Sequence, residues 1–87
     1  MRLLGRSKLK ALYGIDEQTD KWLVSWTSEL SRANWKQTKD VLRQFPHAKC
    51  TTDTVFSFRV GLHGHCIEVS ILFPLALAVV TDLKRIN

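Results

Sequence analysis

Hydrophobic residues in the C-terminal half of the chain alternate and cluster in the manner of consecutive β-strands. Val and Phe dominate the first run, β-branched and apolar residues the second, and aliphatic residues the third. Gly61–Gly64 supplies turn residues after the first run, and Pro74 interrupts the pattern after the second. The pattern therefore predicts a meander of three strands, namely Val55–Val60, His65–Phe73 and Leu75–Val80.

The N-terminal half has helical spacing instead. Its best-defined helix is predicted over Asp20–Arg32, with Thr19 or Asp20 as the cap, because apolar residues recur there about every fourth position. Trp22 and Trp26 are one turn apart on this stripe, so we expect them to pack as core against the sheet; RNA stacking is the alternative. Two shorter helices are predicted, over Lys8–Tyr13 and over the segment that Thr38 caps and Pro46 ends.

The order of elements, helices first and consecutive strands afterwards, predicts an α+β fold. With 87 residues, the chain is expected to form one domain over residues 1–87, with two or three N-terminal helices on a small antiparallel sheet. No apolar run reaches the roughly 20 residues that a membrane helix needs. Cys50 and Cys66 are too few for a disulfide framework. Reduced thiols and a cytoplasmic location, away from any membrane, are therefore expected.

Positive charge is concentrated in the first half of the chain. The net charge is +5, and residues 1–49 carry ten Lys or Arg against five Asp or Glu, whereas residues 50–87 carry three of each. A basic surface suits nucleic acid or an acidic protein partner. Lys36, Lys39 and Arg43 recur about once per helical turn, so they are candidate phosphate-binding residues; the alternative is a solvated helix face.

Metal-ligating side chains occur without a recognisable metal motif. His47, Cys50, His63, His65 and Cys66 have the chemistry of zinc ligands. None of them shows the short spacing of a zinc knuckle, and no phosphate-binding glycine loop or dinucleotide fingerprint is present. We therefore expect neither a metal nor a cofactor.

A metal-free ribonuclease needs a base for the 2′-hydroxyl, a cation for the phosphorane and an acid for the leaving 5′-oxygen. Histidine suits either proton role, and arginine or lysine suits the charge-stabilising role. Candidate residues for such a site are Arg59, His63 and His65 for catalysis and Lys84 and Arg85 for RNA binding, which converge if the strand ends meet at one edge of the sheet. The alternative is that the two histidines simply lie solvated in a hairpin turn.

Several segments together point to a family. SKLKALYG is a short first helix with Ser at its head, KWLVSWTSELSRANWKQTKDVLRQFPHA follows, and VFSF begins the strands. The most specific residues of the pattern are Trp26, Ala33, Trp35, Asp40, Val41, Ala48, Val55 and Phe56. With this pattern the chain resembles the HigB family of bacterial toxins, which are ribosome-dependent mRNA interferases of the RelE superfamily.

The resemblance implies two or three helices on a small, strongly curved antiparallel sheet and metal-independent mRNA cleavage in the ribosomal A site. It also implies a cognate helix-turn-helix antitoxin as partner. The chain departs from the family where an aromatic residue and an arginine are replaced by His65 and Cys66, and where Asp82–Asn87 lacks a terminal His and Tyr. Either Arg59, His63 and His65 substitute, or the chain is a weakened or inactive relative that binds RNA or an antitoxin.

Overall fold

Five β-strands form one open sheet in the computed structural model, which describes residues 1–52, 54–61 and 64–85. The order across the sheet is β1-β5-β4-β3-β2; β1 is parallel to β5, and the other neighbours are antiparallel. The α+β prediction is confirmed, although β1 makes the sheet mixed rather than wholly antiparallel. The strands are β1 (Arg2–Leu4), β2 (Lys49–Cys50), β3 (Val55–Val60), β4 (His65–Leu72) and β5 (Leu77–Arg85).

The predicted meander corresponds to β3, β4 and β5, and only its third strand differs much from expectation. Pro74 lies in a 3₁₀ turn over Phe73–Leu75, so β5 begins at Leu77. It then continues through polar residues to Arg85, beyond the predicted end at Val80. Polar residues are accommodated there because β5 pairs with β4 as far as Arg85, with a bulge opposite Glu68.

Three helical segments precede the meander. They are a 3₁₀-helix over Arg6–Leu12, α1 over Glu17–Arg32 and α2 over Thr38–Gln44. Helix α1 begins earlier than predicted because Asp16, rather than Thr19 or Asp20, is its cap: the Thr19 N–H donates to Asp16 Oδ1 at 2.7 Å. Thr38, the predicted cap of α2, is instead the first helical residue, and Gln37 precedes it as the cap position.

The hydrophobic core lies between the helices and one face of the sheet. Trp26 of α1 is 2% exposed, and its ring packs edge-on to Phe58 of β3, with centroids 5.4 Å apart. Trp22 is half-buried and stacks on Trp26 at 5.9 Å. The expectation that these tryptophans pack against the sheet is confirmed for Trp26, whereas Trp22 keeps part of its surface in solvent at the margin of the core.

Candidate nucleic-acid interface

The two faces of the sheet carry different residues. On β3, Phe56, Phe58 and Val60 are buried beneath the helices, whereas Ser57 and Arg59 alternate with them on the opposite face. We call this opposite side the open face. Residues paired across neighbouring antiparallel strands share a face. The strand register therefore assigns the candidate residues of β4 and β5 to one side or the other.

A cleft of about 650 Å³ occupies one end of the open face, and we call it the basic cleft. It contains the lysine of β2, the arginine of β3 and an imidazole, and no carboxylate is among its described lining residues. Hydroxyl and thiol groups complete the surface. The lining residues are His47, Lys49, Thr51, Ser57, Arg59, Gly61 and Cys66.

Sheet pairing brings these groups together from distant positions in the sequence. Lys49 is the partner of Ser57 between β2 and β3, and Arg59 is the partner of Cys66 between β3 and β4. The Arg59 side chain is exposed and forms no ion pair with the described residues. Its planar guanidinium can therefore bind a phosphate through two parallel hydrogen bonds.

Lys84 lies in the same row of the open face, across from Cys66, but its charge is compensated. Its Nζ lies 2.8 Å from Oε1 of Glu68, whose side chain is only 15% exposed. The hydrogen bond and the charge of Glu68 raise the pKa of Lys84 above its ordinary value of 10.5. Lys84 is thus a cation at neutral pH, but Glu68 reduces its attraction for an incoming phosphate.

The described candidate residues of the strands lie at the same end of the sheet, but they are divided between its two faces. His65 pairs with Val60 on one side and with Arg85 on the other, so His65 and Arg85 belong to the helix-covered face, opposite to Arg59. The Nδ1 atom of His65 is buried and has no hydrogen-bond partner among the described residues. His63 lies outside the described residues.

The predicted RNA-binding residues near α2 form a separate surface. Lys36 precedes the helix, and Lys39 and Arg43 are one turn apart on it; all three are exposed. None of them is among the described residues that line the basic cleft. Asp40, whose Oδ2 accepts a hydrogen bond from the Lys36 N–H at 2.8 Å, places a negative charge between them. These residues stay a predicted RNA-binding stripe, distinct from the cleft.

His47 and Lys49 were not among the candidate site residues. They lie in or next to β2, a strand that the hydrophobic pattern does not predict and that pairs with β3. Their spacing was the available signal: His47, Lys49 and Thr51 are two residues apart, which is the period of one strand face. All three line the basic cleft.

A second cleft, of about 200 Å³, adjoins the first, and we call it the aromatic cleft. It lies between α1, the end of α2 and β3, and its walls are mainly aromatic. His47 and Arg59 line both clefts, so the two share a wall. The other lining residues are Trp22, Ser25, Trp26, Glu29, Gln44, Phe45, Pro46, Ala48 and Phe58.

Two features are absent from the part of the chain that the structure describes. No three His, Cys, Asp or Glu side chains within residues 1–52, 54–61 and 64–85 are grouped so that they could hold a metal ion. Among the same residues, no helix has the length and apolar character to cross a membrane.

Fold and site together describe a small α+β domain with a cation-lined cleft on the open face of its sheet. No protein-family model matches the chain, and none of the curated proteins is significantly similar to it.

Proposed function

We propose that the protein is the toxin of a type II toxin-antitoxin system and that it cleaves mRNA on the ribosome. The main support is the basic cleft, where Arg59, Lys49 and His47 line one surface with no carboxylate among its described residues. The positive charges of Arg59 and Lys49 attract the phosphodiester backbone of RNA. The resemblance of the helical half to ribosome-dependent toxins supplies the substrate class.

The groups in the basic cleft suit metal-independent cleavage. His47 accepts the proton of the 2′-hydroxyl, and the 2′-oxygen then bonds to phosphorus. Arg59 stabilises the charge of the phosphorane. As the bond from phosphorus to the 5′-oxygen breaks, the ammonium group of Lys49 can protonate that oxygen. The products are a 2′,3′-cyclic phosphate and a free 5′-hydroxyl.

The position of Arg59 also bears on a departure from the family pattern. By the resemblance, an arginine is expected at the position of Cys66. Arg59 is the cross-strand partner of Cys66 on the open face. Neighbouring strands are about 4.8 Å apart. A guanidinium thus remains available one strand away, and we assign to Arg59 the role that the resemblance gives to the missing arginine.

The substrate and partners follow from the same proposal. The substrate is mRNA in the ribosomal A site, which puts the activity in the cytoplasm, and a cognate helix-turn-helix antitoxin would inhibit it. Co-expression with the product of the adjacent gene tests the antitoxin. We expect that product to co-purify with the protein and to restore growth.

Cleavage itself is tested in a translation extract with purified ribosomes and a reporter mRNA, with primer extension to locate the cuts. Arg59→Ala and His47→Ala should lower the cleavage rate at least a hundredfold, in the range typical for loss of a charge-stabilising or proton-transferring group. Arg32→Ala is the matched control, because it removes an exposed arginine that neither lines the cleft nor belongs to the predicted RNA-binding residues.

The same assay can reject the assignment. Cleavage that survives both Arg59→Ala and His47→Ala would place the chemistry elsewhere. His63 and His65 remain candidates from the sequence, so His63→Ala and His65→Ala are included. Loss of activity in His65→Ala alone would point to the helix-covered face.

A catalytically weakened, RNA-binding or antitoxin-binding relative is the second candidate. It is favoured by the compensation of Lys84 by Glu68 and by the position of His65 and Arg85 away from Arg59. Normal growth on expression, together with RNA binding that requires Arg59 and no cleavage on ribosomes, would select this candidate.

A further inference from the structure

The aromatic cleft has the features of a binding site for one unpaired base. The half-buried rings of Trp22 and Phe45 supply flat apolar walls, and the buried rings of Trp26 and Phe58 pack against them from the core. Trp22 stacks on Trp26 with an angle of 11° between the rings, and Phe45 packs edge-on to Phe58 at 5.3 Å. Aromatic walls of this kind bind bases of any sequence because every base has a π-face.

Hydrogen-bonding groups accompany the aromatic walls. Glu29 contributes a carboxylate, which accepts hydrogen bonds, and Ser25 contributes a hydroxyl group. Gln44 lines the same cleft, and its Oε1 already accepts a hydrogen bond from Trp35 Nε1 at 3.0 Å. That bond leaves the Gln44 amide N–H groups as the available donors. A donor and an acceptor at one cleft complement the edge of a base.

The charge next to the cleft favours a nucleotide over an apolar side chain. His47 and Arg59 line the wall that the aromatic cleft shares with the basic cleft. A phosphate bound at Arg59 would therefore lie beside an aromatic slot, which is the arrangement of phosphate and base within one nucleotide. An uncharged peptide anchor would use the aromatic walls but leave the Arg59 guanidinium without a partner.

We propose that the aromatic cleft binds a single unpaired base of an RNA strand whose phosphate lies at Arg59 in the basic cleft. This inference deepens the proposed function and rests on it for the substrate class. Glu29 and Gln44 then determine which base is preferred. The cleft acts on specificity, whereas Arg59 acts on binding of the backbone.

The test compares two fluorescently labelled RNA strands of equal length and charge, one with bases and one in which every nucleotide is abasic. Both are titrated with the full chain by fluorescence anisotropy. The wild-type protein should bind the strand with bases about tenfold more tightly, since stacking of one base contributes roughly 1–3 kcal/mol, or about 5- to 150-fold.

Ser25→Phe fills the cleft from the exposed side of α1 and should reduce that ratio to near one. Val24→Phe is the matched control, because Val24 is exposed on the same helix and does not line the cleft. Arg59→Ala should weaken binding of both strands. Thermal melting of each variant verifies folding, and Glu29→Gln, which leaves the cleft open, should change the order of preference among four homopolymer strands.

Three results would overturn the inference: equal wild-type affinity for both strands, a ratio unchanged by Ser25→Phe, or an unchanged base order in Glu29→Gln. A response of the Trp fluorescence to N-acetylphenylalaninamide, without a response to nucleoside monophosphates, would instead indicate an anchor site for a protein partner. Because the titration uses free RNA without ribosomes, absence of mRNA cleavage would reject the proposed function and leave this ratio unaffected.

Discussion

Removing the negative charge at Glu68 should strengthen RNA binding on the open face. The Glu68 carboxylate lies 2.8 Å from the Lys84 ammonium. Glu68 pairs with Ser57 across the sheet, so it lies on the open face one row of residues away from Arg59. Glu68→Gln keeps the shape of the side chain and removes its charge. Lys84 is 62% exposed, so solvent can still hydrate it after its partner has been neutralised. The variant is therefore expected to fold with Lys84 released from its ion pair, so that only the weaker influence of Asp82 opposes its attraction for RNA.

The size of the effect follows from counterion release. For single-stranded RNA, each additional phosphate that the protein neutralises makes the slope of log affinity against log salt concentration steeper by about 0.7. The gain in affinity from Glu68→Gln should thus be roughly 2.6-fold larger at 50 mM than at 200 mM salt. Fluorescence anisotropy with a short labelled RNA, repeated over a series of KCl concentrations, measures this slope directly.

Helix α1 offers a matched control. Glu17 forms an exposed ion pair with Lys21 at 3.2 Å, on a helix that packs against the opposite side of the sheet. Glu17→Gln changes the net charge by the same amount and also frees one lysine. If the two variants gain equally in affinity and in slope, overall charge controls binding and the open face is not the RNA surface. If Glu68→Gln gains nothing, Lys84 does not contact RNA.

Three predictions concern stability. Trp26→Ala should lower the free energy of unfolding by about 3–5 kcal/mol in urea titrations, because Trp26 is buried in the core; a loss below 1 kcal/mol would contradict the packing. Gly5→Ala should destabilise by about 1–3 kcal/mol, since Gly5 has a φ of 80° and an added Cβ would lie 2.6 Å from the Val80 carbonyl oxygen; an unchanged melting temperature would refute this. The ion pair with Glu68, which raises the pKa of Lys84, stabilises the fold below pH 10.5, and this stabilisation is lost as pH rises through the folded-state pKa. The melting temperature should therefore decline less at alkaline pH in Glu68→Gln than in the wild type.

Strands and helices that are long enough to show a hydrophobic period could be predicted from the sequence. Strand β3 has the predicted bounds, since its buried and exposed residues alternate without interruption. Strands β1 and β2 have three and two residues, too few for a period to show. They form because a neighbouring strand pairs with them, and that pairing cannot be recognised from their own few residues. The polar end of β5 was missed for the same reason, as its pairing with β4 determines it.

Residue types suggested the chemistry of the site. Which residues belong to it depends on the face of the sheet that each one occupies along its strand. His65 is two residues before Ile67, which is buried, whereas Arg59 is out of phase with Phe58, which is also buried. Alternation alone thus separates His65 from Arg59 and puts them on opposite faces. The partner of Arg59 across the sheet can be identified only from the strand register, which depends on the turn and on the packing of the core. His47 and Lys49 became candidates only once β2 was seen to pair with β3.

Net charge by half-chain does not locate the cation-lined cleft, and the two cationic surfaces illustrate the reason. The α2 stripe holds Lys36, Lys39 and Arg43 on an outward surface, with Asp40 among them, so its field spreads into solvent. The cations of the basic cleft come from both halves and line a common cavity. A cleft with low-dielectric walls concentrates a field that a convex helix surface disperses. Fewer cations in the cleft can therefore bind a phosphate more selectively than a larger number on the helix.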